Sequence, residues 1–487
     1  MIRDLQYYLD TFRVTPRLLE EITDLGMGNG ALWCDLYFEN NASFNLSLQD
    51  SIVSGCRITE DYGVGIRVLS GEKTGYAYSE STDVSSMKSA VKAASAITLG
   101  APVKVTGRGI ASGDGYVPRL YKGKPNTAAD RYPVKESWRD ISMEKFIPMM
   151  MKMEAMVRDR EPRTAKVVVN LTHEMDDILM YNSFGELKYE TRPMGTLMMN
   201  VVFSNGGEPY SFGASRSFRM GTEMFTDALT QELVDEILHN IDDRFNAIRP
   251  RGGEMNVVMG AGASGILLHE AMGHAFEADF NRKGQSIFHD SMGKKICEDN
   301  ITIVDDGTLP FDRGSLNFDD EGVPAQRTEM VKDGILTSYL HDRISARHYG
   351  VSPTGNGRRE DFRCSPLPRM RSTYMENGDS DPADIIASVK KGIYVDTFSN
   401  GQVKIGEGDF TFFVNSGYLI EDGHLTAPIK DINVIGNGPK ALSDIVAVGN
   451  DARVDHGSWT CGKGQSVPVS CGIPTVLVSS LTVGGAQ

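Results

Sequence analysis

MNVVMGAGASGILLHEAMGHAFEAD, residues 255–279, is the stretch on which the reading of the whole chain turns. MNVVMG has the composition of a buried strand, and the apolar run that follows Gly262 has the length of a helix, with Ser264 placed to cap it. Beyond this helix the chain reads mainly as strands and turns. EGDFTFFVNSGYLIEDGHLTAPIKD, residues 407–431, has consecutive hairpin strands with glycines at the turns. A β-rich unit carrying one helix is therefore expected over 247–487.

Working outward, residues 3–24 and 85–97 carry helical spacing, and between them NASFNLSLQDS (41–51) and GVGIRVLSGEKTGYAYSE (63–80) read as hairpin strands. This predicts an α+β unit over 1–105. A middle α+β unit is expected over 106–246. It opens with a Gly-, Pro- and Asn-rich connection (106–137), continues through a Met-rich helix (143–157) and the strands TAKVVVNLTH and GTLMMNVVFS, and ends in a helix near 223–245. The methionine stripe reads as core filler rather than a metal relay. The fold class that follows is α+β, with mixed or antiparallel sheets and flanking helices.

Within the helix at 262–279 stand His269, Glu270 and His274. Three titratable groups on an apolar helix are costly to bury unless they are paired or ligated. In HExxH metallopeptidases the two histidines lie four residues apart, about 40° around the helix, and reach one zinc. Here the spacing is five, a rotation of about 140° on a regular α-helix. A shared face then requires a π-type distortion, which Gly273 makes accessible, and an irregularity is expected at 270–274. The bland alternative is two core histidines bonded to carbonyls. A catalytic zinc keeps three protein ligands and one open position, so one ligand more is needed. Glu277, one turn beyond His274, and Cys461, in the turn GSWTCGKGQ, both qualify, and spacing does not choose between them.

Composition narrows the function classes. The 487 residues hold 50 Lys and Arg against 65 Asp and Glu, a net charge of −15, the wrong sign for tracking nucleic acid. No run reaches the eighteen or so apolar residues of a membrane span, and the N-terminal residues lack a secretory h-region. Six scattered cysteines form no CxxC pair and fit a reducing compartment. A cytoplasmic protein without nucleic-acid or membrane partners is expected. Other motifs have simpler readings: Gly63-Val64-Gly65 continues as a strand, His341-Asp342 lacks a second histidine cluster, and Asp305-Asp306 and Asp319-Asp320-Glu321 precede turns rather than bind calcium.

The chain resembles the TldD/PmbA family, in its metal-bearing TldD branch. The resemblance rests on LLHEAMGHAFEADFNRKGQS (267–286), TIVDDGTLP (302–310), DDEGVPAQRT (319–328), PTGNGRRE (353–360), PLPRM (366–370), GEGDFTFFVNSGYLIEDG (406–423) and CGKGQSVPVS (461–470). It implies a zinc metallopeptidase with His269, His274 and Cys461 as ligands and Glu270 as general base. It also implies a heterodimer with a related TldE/PmbA-like subunit lacking the metal motif, a homodimer being the other arrangement. The turn after Cys461 departs from the family's usual wording by one residue between Lys463 and Gly464, and Cys471 adds a second nearby thiol, read as strand filler. Arg358, Arg359 and Arg369 are candidate oxyanion donors. Extended strands suit β-augmentation by unfolded peptide segments, the expected substrates. The rival readings are a deformylase-like amidase, which would use HExxH on a shorter chain, and a non-catalytic regulatory subunit.

Overall fold

The computed structural model describes residues 3–98, 130–207, 209–404 and 406–485. The architecture is α+β. Its first lobe is one antiparallel sheet of six strands in the order β3-β2-β1-β4-β5-β6. The strands are β1 (Trp33–Gln49), β2 (Ile52–Ser70), β3 (Lys73–Ser79), β4 (Thr164–Asn182), β5 (Leu187–Phe203) and β6 (Tyr210–Phe218). Because β1 pairs with both β2 and β4, the first two units expected from the sequence share this sheet. The connection read at 106–137 falls mostly outside the described residues.

Helices α1 (Leu5–Phe12), α2 (Pro16–Met27) and α3 (Val84–Ser95) pack against one half of the sheet, where Phe12, Leu19, Ile22, Val91, Leu36, Phe38 and Ile66 make one core. The helical run expected at 3–24 is thus two helices. Arg13 takes a left-handed conformation (φ 54°) that ends the first, and Thr15 and Pro16 start the second as N-cap and first-turn proline. The Met-rich helix α4 (Ile147–Arg160) and α5 (Asp227–Leu238) cover the other half, and Met150 and Met153 are fully buried in that core.

In the second lobe, strand Gly253–Met259 pairs in parallel with Lys391–Lys404 and antiparallel with Val476–Gly485. The ladder continues through Ile432–Asn437 and Asp409–Glu421, which pairs back onto Lys391–Lys404 and closes a five-stranded ring. Beside it lies a six-stranded sheet that includes Ile303–Asp306, Ser372–Met375, Ser470–Ile473 and Arg453–Asp455. Residues 263–276 sit between these layers, and Leu267, Leu268, Ala271 and Met272 join Val257, Val395, Phe412 and Ile473 in the largest core of the molecule.

Buried charges join the lobes. Arg67 of β2, fully buried, pairs with Asp35 at 2.8 Å and with Glu321 at 2.6 Å. Arg192 of β5 pairs with Glu190 and Asp320. Removing one member of such a pair leaves an uncompensated charge, at a cost of about 3–5 kcal/mol. The edge of β6 is also occupied in part, since Ser217 N–H donates to His456 O and Arg219 N–H to Phe311 O.

Candidate metal centre

Residues 263–276 form one irregular helical segment. A 3-10 turn at Ala263–Gly265 leads to one α turn at Ile266–Leu268, a π turn at His269–Gly273 and a second 3-10 turn at His274–Phe276. The five-residue spacing required such a widening, and it is where the sequence places it. Ser264 does not cap: Gly262, at φ 90°, starts the segment, and the buried Ser264 Oγ has no hydrogen-bond partner among the described residues. The segment start lies directly on strand Ser470–Ile473, where a side chain on Gly265 would strike the Gly472 backbone.

The π turn brings both imidazoles to one place, ring centroids 5.2 Å apart. Cys461 arrives from a hairpin, Thr460–Gly462 with Ser466–Pro468. One donor atom from each of His269, His274 and Cys461 lies within 4.8 Å of the other two, and all three residues are buried. Cys461 Sγ is 3.3 Å from His274 Nε2, near the roughly 3.6 Å that zinc bond lengths give for adjacent ligands of a tetrahedron. Among the described residues the buried His269 Nδ1 has no hydrogen-bond partner. Two imidazoles and a thiolate around one point fit a metal of zinc's character.

Burial alone would push the Cys461 thiol up, but the adjacent imidazoles of His269 and His274 bring it down to about 4. Burial also opposes charge on His274, yet Glu277 and Cys461 on either side hold its pKa well above the ordinary value. Glu270 follows His269 in the π turn and is partly exposed, unlike the ligand candidates. Glu277 stands on the other side of His274. Its Oε2 lies 2.9 Å from Nδ1, so it orients the ring and points it, through Nε2, at Cys461.

The three arginines raised as oxyanion donors are engaged elsewhere. Arg369, fully buried, donates to Cys461 O and Gln465 O; Arg358 donates to Met370 O; Arg359 donates to Asp320 O and Tyr76 Oη. The other motifs are structural: Gly63 and Gly65 lie inside β2, Asp342 caps helix Arg343–Tyr349, and Asp320 and Glu321 serve the interlobe pairs. Cys471 lies buried in its strand. Spacing could have suggested Glu277 as a partner of His274, but nothing in the sequence showed that Lys463 would reach it, at 2.9 Å.

Models of the PmbA/TldA metallopeptidase domain 1, central domain and C-terminal domain match residues 34–98, 136–243 and 252–485. A metalloprotease TldD homolog of Haemophilus influenzae is 36% identical over 484 residues, covering 97% of each chain. The chain belongs to the PmbA/TldD metallopeptidase family. Solved structures agree in fold. TldE of Thermococcus kodakarensis matches with a TM-score of 0.71 at 19% identity, over 96% of this chain and 100% of its own. A Thermotoga maritima protein described as a candidate modulator of a DNA gyrase matches with 0.75 at 20% identity, over 96% and 99%. Among the described residues no helix is long and apolar enough to cross a membrane.

Proposed function

We propose that this PmbA/TldD family member is a zinc peptidase that hydrolyses unfolded or extended peptides, with His269, His274 and Cys461 as metal ligands and Glu270 as general base. The observation that carries the reading is the convergence of those three buried donors beside a partly exposed carboxylate. The thiolate favours zinc over harder ions, and Glu277, facing the other nitrogen of His274, is the orienting partner rather than a ligand.

A zinc ion bound by these residues supplies Lewis acidity and makes water easier to deprotonate. Glu270 then accepts the proton of the attacking water and returns it to the leaving amine. Glu277 keeps Nδ1 of His274 engaged, so that Nε2 carries the lone pair turned toward Cys461.

A cleft beside β6 supports the reading of an extended substrate. Residues 212–216 of β6 line this cleft of about 310 Å³ together with Ala263, Thr397, Phe398 and Trp459, next to the chain segments that lead into the His and Cys donors. Adding a strand to that edge would use main-chain bonds and tolerate many sequences. A related subunit of the TldE kind is the proposed partner, because a TldE has this fold. Six cysteines without a disulfide among them suit the cytosol.

Glu270→Ala is expected to keep its zinc and lose peptide cleavage by roughly 10²–10⁴-fold, measured by peptide turnover beside elemental analysis. Cleavage at the wild-type rate would remove Glu270 from its role.

A further inference from the structure

The thiolate arm is held against the histidine arm by contacts outside its own hairpin. Among the described residues the two three-residue strands of the Cys461 hairpin pair only with each other, so its own ladder cannot place it. Four charged side chains fill the space between hairpin and helix. Arg369 spans the hairpin, with Nη2 donating to Cys461 O at 2.6 Å and Nη1 to Gln465 O at 2.8 Å, and its Nε lies 3.8 Å from Glu277 Oε1. Lys463, two residues after Cys461, reaches back to the helical side. Its Nζ lies 2.7 Å from Asp279 Oδ1 and 2.9 Å from Glu277 Oε2, the oxygen that also meets His274 Nδ1.

We propose that Lys463 is a positioning residue of the metal centre, latching the Cys461 hairpin to the His-bearing segment through Glu277 and so fixing the ring of His274. The proposal rests on the zinc-site reading. Direct contacts run from Lys463 to Glu277 to His274, and from His274 Nε2 to the thiol, so the hairpin that supplies one ligand also sets the orientation of another. The two cations, Lys463 and Arg369, balance the two carboxylates, Glu277 and Asp279. The latch thereby adds no net charge, and the thiolate remains the one charged donor.

Merely tethering a loop would not need this chemistry. The Lys463 side chain is 9% exposed and that of Glu277 is 0%, and buried ion pairs are commonly replaced by apolar residues with no loss of stability. What an apolar residue at 463 could not do is donate to the Glu277 oxygen that meets the imidazole, and so hold that oxygen in place. Such outer partners of metal-bound histidines commonly change metal affinity by about 10–100-fold.

The test uses the full chain, stripped with a chelator and titrated with cobalt and zinc. Binding is read by chelator competition and by the thiolate-to-cobalt charge-transfer band. Lys463→Met is expected to weaken cobalt binding about 10–100-fold and to shift or broaden that band, with Lys463→Arg, which keeps the charge, falling between Lys463→Met and the wild type. Glu277→Gln should reproduce the Lys463→Met effect, and serves in its place if that variant does not fold. Wild-type affinity and an unchanged band in Lys463→Met, or in Glu277→Gln, would overturn the latch alone. Absence of a charge-transfer band in the wild type would overturn the zinc-site reading and the latch with it.

Discussion

The two arms of the site are built by different means. His269 and His274 come from one short segment, and a local widening of the helix is enough to bring them together. Cys461 lies 187 residues beyond His274, on a hairpin whose buried charged contacts, with Arg369 and from Lys463, reach elements remote in sequence. A local arm depends on backbone geometry and close packing; a remote arm depends on buried charge. Substitutions in the two should therefore fail differently.

The largest effect is expected on the remote arm. Arg369→Met takes one donor from Cys461 O and one from Gln465 O, which keeps the Lys463 N–H, and leaves Glu277 without one of its cations. A loss of about 3–5 kcal/mol is expected in urea unfolding. A loss no larger than that of a surface arginine would mean the hairpin is placed by packing instead.

Acid should expose the same arm. Burial opposes the charge of Glu277, but Lys463, His274 and Arg369 together lower its pKa from 4.5 to about 2. A depressed carboxylate stabilises the fold at pH values above its ordinary pKa, and this contribution, about 3 kcal/mol here, disappears as the pH falls through the folded value. Metal-free wild type should therefore lose its advantage over Glu277→Gln between pH 4.5 and 2, followed by unfolding at each pH. Parallel pH profiles for the two proteins would contradict this.

The smallest effect belongs to the local arm. Gly273 closes the π turn, and a methyl group there would meet the Met370 sulfur, which is itself buried. Gly273→Ala is expected to cost about 1–3 kcal/mol by overpacking, read as a fall in thermal midpoint, and a smaller residue at 370 should restore part of it. Independence of the two substitutions would show that contact with Met370 does not constrain the turn.

This contrast also explains what could be read in advance. Strand periodicity, the methionine core and the distorted His pair rest on neighbours in sequence, and each was legible there. The break at Arg13 was not, because a single left-handed residue interrupts an otherwise continuous apolar pattern. Ser264 has the residue type of a cap but does not act as one, because the chain turns earlier, at Gly262. Spacing left Glu277 and Cys461 equal as third ligands, and only the family resemblance separated them. The role of Arg369 was beyond reach, since a guanidinium suited to binding an oxyanion is equally suited to two backbone carbonyls.

X-ray absorption at the zinc edge of the zinc-loaded protein reads the ligand set itself. The expected shell holds one sulfur at about 2.3 Å and two imidazole nitrogens at about 2.0–2.1 Å, the sulfur disappearing in Cys461→Ser. A shell of nitrogen and oxygen alone in the wild type, or a sulfur that persists in Cys461→Ser, would contradict it.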